Sequence, residues 1–535
     1  MTKTVLFGKE ARDKLLSGVK KITDAVRVTM GSSGKCVLIG GASYVDGFVV
    51  QHPSMCTKDG FNVTKHFSLP DLLENRGALM IKEAAQQTVN EAGDATTCTC
   101  VLAEAIVSEG VKMIDAGANS QELKKGIDSA VEKVVAKLKE VSIPVAGDIE
   151  KIRQVATVSA NNDSSVGDLI AEAYKKIGPH GVINIEASKG IQTEVKLTDG
   201  VKIERGWVSN LFVNKREKET CEFEDCFIYL YDKRVTHYTQ LQRVLELVNT
   251  KGNPVLVICE DLDEQGLGFL ALNVAQQRVK ACAIKSPEFG DARREWMEDL
   301  EMLTGATYVS DLRGIGFKDV ELEHLGFAKK VIISRNDTVI IGGDVSKGLE
   351  DFINDLKMNL TQCKTEEEKY PIERRIARLT GGVAVIQVGA ATEPELTEKL
   401  DRFDDAVRAT KAAIAEGFVA GGGITFLRIG EDFKMSVRVN APSIDFEKGK
   451  QLVYDILNKP FKQMIDNVGW DVEECCVNVS RENGNMGYNT RTGKIVDLIE
   501  AGIIDSTKAL RCALINAASI AGMLLTTECL IESAY

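Results

Sequence analysis

Apolar residues recur at helical spacing through the first third of the chain. Leu15, Val19, Ile22 and Val26 stand at i, i+4, i+7 and i+11, one face of an amphipathic helix. A short apolar strand is predicted near Cys36 to Ile39, then a helix from about Leu72 to Glu91. In a further helix Ala103, Val107, Gly110 and Ile114 line one face and Glu104, Ser108, Lys112 and Asp115 the opposite one, and Gly117 can end it. From Gly200 to Gly343 the period changes. Short β-type runs (Phe227 to Tyr231, Pro254 to Cys259, Val331 to Ile333) alternate with helical stretches such as Thr239 to Val248, which predicts an α/β domain. A charged helix from Cys363 to Leu379 leads to Gly381-Gly382. Beyond it the pattern is helical again, from Pro394 to Glu416 and more patchily from Phe446 onward. The order helical, α/β, helical predicts an α/β part inserted into a helical body made from both ends of the chain.

Composition narrows the class. With 535 residues, 44% hydrophobic and 27% charged, the chain suits a globular protein of several domains. A net charge of −12 supplies no basic stripe for nucleic acid. Met1 to Arg12 has no apolar core of a secretory leader, and the uncharged stretch Cys512 to Thr527 is shorter than the ~20 residues of a membrane span. A cytoplasmic protein bound to neither nucleic acid nor membrane is expected. The 13 cysteines include no Cys-x-x-Cys pair, and His52, His66, His180, His237 and His324 are scattered. Reduced thiols are therefore expected rather than a zinc site.

Three segments carry candidate chemistry. Gly93-Asp94-Ala95-Thr96-Thr97-Cys98 precedes a helix, whose N-terminal N–H groups suit phosphate, with magnesium bridging Asp94 to it. A plain helix cap is the alternative. Thr29-Met30-Gly31-Ser32-Ser33-Gly34-Lys35 is a Gly-rich loop with a lysine but not a Walker A motif, and taken alone it reads first as a helix C-cap turn. Gly421-Gly422-Gly423 permits close backbone approach or makes a hinge. Upstream, Asp404-Asp405 offers a carboxylate to orient water, or merely a solvated face.

Together these segments resemble the group I chaperonins of the GroEL type. The resemblance runs from Phe7-Gly8 to Thr526-Thr527-Glu528-Cys529. It includes Thr57-Lys58-Asp59-Gly60, Ser159-Ala160-Asn161, Arg205-Gly206, Phe289-Gly290-Asp291, Leu379 to Ile386, Val388 to Glu393, Gly487-Tyr488-Asn489 and Ile504-Asp505. It implies a multidomain α plus α/β fold: an all-helical equatorial domain (1–140 and 416–535), a small intermediate hinge (141–199 and 383–415) and an inserted α/β apical domain (200–382). It implies a seven-membered ring, single or double, that hydrolyses ATP with magnesium and potassium, binds unfolded polypeptides and meets a small co-chaperonin ring.

Carried over by motif, Thr29, Met30, Gly31 and Ser32 with Lys58 would cradle phosphate. Asp94 would hold magnesium, while Ala95, Thr96, Thr97 and Cys98 bind phosphate oxygens. Gly422 and Asp505 would meet the ribose, and Asn489, Thr490 and Arg491 the adenine edge. Asp405, helped by Asp59, would position the attacking water. Thr29, Lys58 and Thr97 would shape the potassium site. Arg205 and Glu393 match an inter-subunit salt bridge. Trp207, Ser209, Leu211, Phe212, Leu241, Gln242, Leu245, Leu267, Ala271 and Leu272 match the client-binding surface, with Leu241/Leu245 and Leu267/Ala271 expected to expose apolar stripes on two helices. The family's Gly-Asp-Gly-Thr-Thr-Thr is altered here at Ala95 and Cys98, and Ser506 replaces the proline after Asp505. The resemblance leaves one alternative, a chaperonin-like assembly scaffold that binds ATP and client without productive encapsulation.

Overall fold

The computed structural model describes all residues except 1–2, 46–47, 146, 161–162, 179–180, 189, 217, 347, 364–365, 436–441 and 534–535, so Asn161 and His180 lie outside the described residues. Two compact units emerge: Met1–Glu172 with Ala391–Tyr535, and Ala173–Ala390 between them. The first is the helical body built from both ends of the chain. Its helix Gly8–Arg27 buries Ala11, Leu15, Val19, Ile22 and Val26, the face that the spacing predicts. It crosses the helix Leu72–Ala92 at two glycines. A Cβ on Gly18 would fall 1.8 Å from the Glu74 carbonyl oxygen, and one on Gly77 would fall 2.1 Å from that of Leu15. Backbones this close admit only glycine.

The helix Thr96–Asp115 departs from the two-faced expectation. Cys98, Cys100, Val101, Leu102, Ala105, Ile106 and Ser108 are buried as well as Ala103 and Val107, because other helices pack around it on most sides. The helix Thr507–Thr526 has the length and apolarity to cross a membrane, but 72% of its most apolar window is buried inside this unit. Near the two chain ends, the strand Lys3–Phe7 pairs antiparallel with Cys529–Ser533, Lys3 opposite Ser533 and Phe7 opposite Cys529.

The second unit is built on one mixed sheet. Its strands run in the order Val182–Ala187, Gly382–Val388, Glu194–Ile203, Thr338–Gly343, Gly326–Ile333, Cys221–Tyr231, Val255–Cys259 and Ala281–Lys285, with Tyr308–Val309 paired beside Cys221–Tyr231. The last three strands of that order are parallel, joined by the helices Thr239–Lys251 and Glu264–Ala275. Val255–Cys259 is buried at every residue, as a parallel strand covered on both faces requires. Gly200 lies inside a strand, where a Cβ would meet the Ile340 carbonyl oxygen at 2.5 Å. The segments assigned to a hinge divide between the units: the helices Ile149–Ser159 and Glu393–Glu416 belong to the first, and Val182–Ala187, Glu194–Ile203 and Gly382–Val388 to the sheet of the second.

Candidate active site

The Gly-rich loop leaves the end of the helix Gly8–Arg27. Thr29 is buried, and its hydroxyl donates to the Val26 carbonyl (2.9 Å). Gly31 takes φ +82°, which turns the chain so that Gly34 N–H reaches Gly31 O (3.0 Å) and Lys35 N–H reaches Val28 O (2.8 Å). Asn467, absent from the sequence-based set, clamps the loop from outside. Its Nδ2 donates to the carbonyls of both Arg27 and Met30 at 2.9 Å. Only spatial proximity across the fold reveals that clamp.

The helix Thr96–Asp115 begins a few ångströms away, with Thr97 Oγ1 3.3 Å from Thr29 Oγ1. Several other helices of this unit are capped by side chains, among them Asp71, Asn119 and Asp148. This one has no side-chain cap, so its first N–H groups stay open to an anion. Ala95, just before it, stands in the left-handed region at φ +68°. A non-glycine residue there carries strain of ~1–2 kcal/mol. Asp94 accepts from Ala95 N–H (2.5 Å) and from Ser159 Oγ (3.0 Å), which ties the Ser159-Ala160 segment to the site.

Acidic groups converge here. Asp59 caps the short helix Gly60–His66 by accepting from Phe61 N–H (3.1 Å) and Asn62 N–H (2.8 Å). Burial, followed by the charge of Asp94, pushes its carboxyl above the usual range. Burial likewise raises Asp94. Asp405, on the helix Glu393–Glu416, is raised strongly by burial and then by the charges of Asp59, Asp94 and Asp404. Burial and Asp94 push Asp505 up to about 7. Asp94 nonetheless keeps solvent access. Cys98 is buried and its thiol is pushed far up, by burial first, so it serves as packing and backbone donor rather than as a nucleophile.

Mutually repelling carboxylates beside an open helix N-terminus suit a cation that carries phosphate. Among the described residues no three His, Cys, Asp or Glu side chains are placed to hold one metal ion between them. A magnesium ion here would therefore be held by Asp94 and take its other ligands from phosphate and water, its usual habit.

The opposite wall is the glycine turn. Phe418–Ala420 pairs with Ile504–Ser506, Val419 opposite Asp505, and Gly421 N–H donates to Ile503 O (2.9 Å). Gly422 and Gly423 adopt φ +61° and +74°. Asn489 accepts from Arg491 N–H (3.0 Å) and Thr492 N–H (3.3 Å), so its side-chain oxygen shapes the turn and only Nδ2 is left for a base. Thr490 Oγ1 lies 2.6 Å from Ser32 Oγ, joining this wall to the Gly-rich loop. Lys58 and Arg491 are both exposed.

A profile of the TCP-1/cpn60 chaperonin family matches residues 22–534. The chain belongs to that family. Among solved structures it is similar to the chaperonin gp146 from the bacteriophage EL 2 (Pseudomonas aeruginosa), crystallised in the presence of ATP-BeFx. Crystal form II gives a TM-score of 0.70 at 22% identity, covering 99% of each chain. Crystal form I gives 0.63 at 21%, again over 99% of both. The chaperonin fold, mixed α and α/β, thus extends over the whole chain.

Several residues expected to expose apolar stripes are buried in the second unit. Leu241 and Leu245 are 0% and 5% exposed, facing the sheet with Val244 and Val248, and Phe212 and Ala271 are buried too. The outer face of Thr239–Lys251 carries Gln242, bonded to Glu246 (2.9 Å), and is polar. Leu211 and Leu272 remain exposed at 59% and 57%, and Trp207, Ser209 and Leu267 are half-buried. Tyr238, missed in the sequence, is 44% exposed and packs on Phe269 with ring centroids 5.5 Å apart. The exposed apolar side chains here are therefore Leu211, Tyr238 and Leu272, with Phe269 half-buried beside Tyr238. Arg205 and Glu393 are each exposed on their own unit.

Proposed function

We propose that this chaperonin hydrolyses ATP and uses the cycle to bind and release unfolded polypeptides. One observation carries the reading: the uncapped N-terminus of Thr96–Asp115 follows directly on Asp94, whose charge acts on both Asp59 and Asp405. The triphosphate lies against the N–H groups of Ala95 to Cys98 and the hydroxyls of Thr96 and Thr97, with the loop Thr29 to Ser32 and Lys58 on its other side. Asp94 would hold a magnesium ion, which would supply charge neutralisation to the phosphates. Potassium is assigned to the hydroxyls of Thr29 and Thr97 near Lys58. Asp405 orients the attacking water and accepts its proton. Its raised affinity for protons brings it nearer the working pH, as general-base efficiency requires. Gly422 and Asp505 take the ribose, and Thr490 with Asn489 Nδ2 the base.

The oligomer is a seven-membered ring, with Arg205 and Glu393 bridging neighbouring subunits in one state. Client binds by non-directional apolar burial on the strip Leu211, Tyr238, Phe269 and Leu272. A small co-chaperonin competes for the same strip. The decisive experiment is Asp405→Ala: ATP affinity stays near the parental value while turnover falls by ~10²–10⁴-fold, the range of a lost general base. Parental turnover in that variant would refute the assignment. Loss of affinity together with rate would reassign Asp405 to binding.

A further inference from the structure

The strand pair leading into Lys58 and Asp59 carries two exposed cysteines. Cys36 immediately precedes the strand Val37–Val45, and Cys56 is the penultimate residue of Phe48–Thr57. The register sets Val37 opposite Thr57 and Leu38 opposite Cys56. With side chains alternating along each strand, Cys36 and Cys56 fall on one face as diagonal neighbours. The neighbouring Cys36 side chain is the main influence that raises the Cys56 thiol. Eight other cysteines (Cys98, Cys100, Cys221, Cys226, Cys259, Cys282, Cys475 and Cys512) are buried, and exposed Cys529 stands on a different strand pair, opposite Phe7.

We propose that Cys36 and Cys56 form a reversible disulfide that lowers ATP turnover; the turnover part rests on the nucleotide reading above. The oxidant is a low-molecular-weight disulfide of the glutathione type. The thiolate of one cysteine attacks that disulfide, breaking its S–S bond and releasing one small thiol. The second cysteine, deprotonated, then attacks the protein sulfur of the mixed disulfide and releases the other. The protein loses two electrons and two protons, and the two released thiols gain them.

Both sulfurs sit beside a phosphate loop. Lys35, next to Cys36, donates its N–H to Val28 O, and Asp59 N–H donates to the Thr57 hydroxyl (3.1 Å) next to Cys56. Diagonal neighbours in a strand pair stand ~7–8 Å apart, whereas a disulfide holds its Cα atoms at ~4.4–6.8 Å. Closing the bond draws the two strand ends together and shifts one loop, or both, from the arrangement described above.

The test equilibrates the full-length protein in buffers of varied reduced-to-oxidised glutathione ratio, alkylates it, maps the peptides and assays ATP turnover in parallel. The expected result is an intramolecular Cys36–Cys56 bond, a several-fold fall in turnover that reductant reverses, and redox-insensitive turnover in Cys36→Ser and Cys56→Ser. Failure to form the bond in a chain that hydrolyses ATP overturns the disulfide. A bond with unaltered turnover overturns the coupling. A chain that forms the bond but hydrolyses no ATP in either state refutes the nucleotide reading instead, because peptide mapping reads the bond independently.

Discussion

Gly60 and Thr97 are pressed together so closely that a Cβ on the glycine would lie 2.0 Å from the threonine hydroxyl oxygen. The contact sets the helix that Asp59 caps against the open N-terminus of Thr96–Asp115. Gly60→Ala must therefore push the two apart. The expected cost is ~1–3 kcal/mol of stability, as for other overpacked sites, together with a lower turnover number. Removing the hydroxyl in Gly60→Ala/Thr97→Ala recovers the thermal midpoint but not the turnover. A Gly60→Ala protein that melts and hydrolyses ATP like the parent would show that the contact positions nothing.

Ala95→Gly relieves the left-handed strain at φ +68°. The gain is partly offset by the greater freedom of glycine in the unfolded chain, leaving ~0.5–1 kcal/mol of net stabilisation. Loss of the methyl group also opens the approach of phosphate to the helix N-terminus, so KM for ATP falls. Differential scanning calorimetry and steady-state kinetics check the two effects separately.

Asp505 gives a pH signature. Its carboxyl titrates near 7 in the folded chain, well above its unfolded value. Between those values the folded state holds a proton that the unfolded state has released, so this group's contribution to stability falls as pH rises through that window. Relative to the parent without nucleotide, Asp505→Asn is expected to gain in thermal midpoint as pH rises from about 5 to 8. A difference that is flat with pH, or of the opposite slope, would contradict the buried setting of Asp505 and the charge of Asp94 near it.

The apolar strip separates from the core by mutation. Leu272→Ser and Tyr238→Ala are expected to abolish capture of an unfolded client while ATP turnover and melting persist, since both side chains are exposed. Leu245→Ser instead costs ~2–5 kcal/mol, because the buried leucine fills the core behind the sheet. Sedimentation with a denatured client, alongside thermal melts, distinguishes the two classes. Normal capture by both surface variants would place the client elsewhere.

The inserted α/β part was legible from sequence because strand and helix periods differ and because the β runs are unusually apolar. The loops around Gly31, Asp94 and Gly422 were legible from their motifs, since tight turns leave few residue choices. The facing of helices was not. Leu241 and Leu245 define an apolar stripe, but spacing alone does not say whether a sheet or solvent lies opposite. Links such as Asn467 to Met30, Ser159 to Asp94 and Cys36 to Cys56 join residues far apart in the chain or across strands. No local pattern encodes them.

The pairing of Lys3–Phe7 with Cys529–Ser533 has a consequence for biogenesis. Synthesis proceeds from the N-terminus, and domains generally fold as units while it does. The helices that emerge first must wait, with apolar faces uncovered, until Thr507–Thr526 and the closing strand leave the ribosome. The unit Ala173–Ala390 is contiguous and needs no such delay. This chaperonin is thus itself among the late finishers, its candidate site incomplete until Asp505 has been translated.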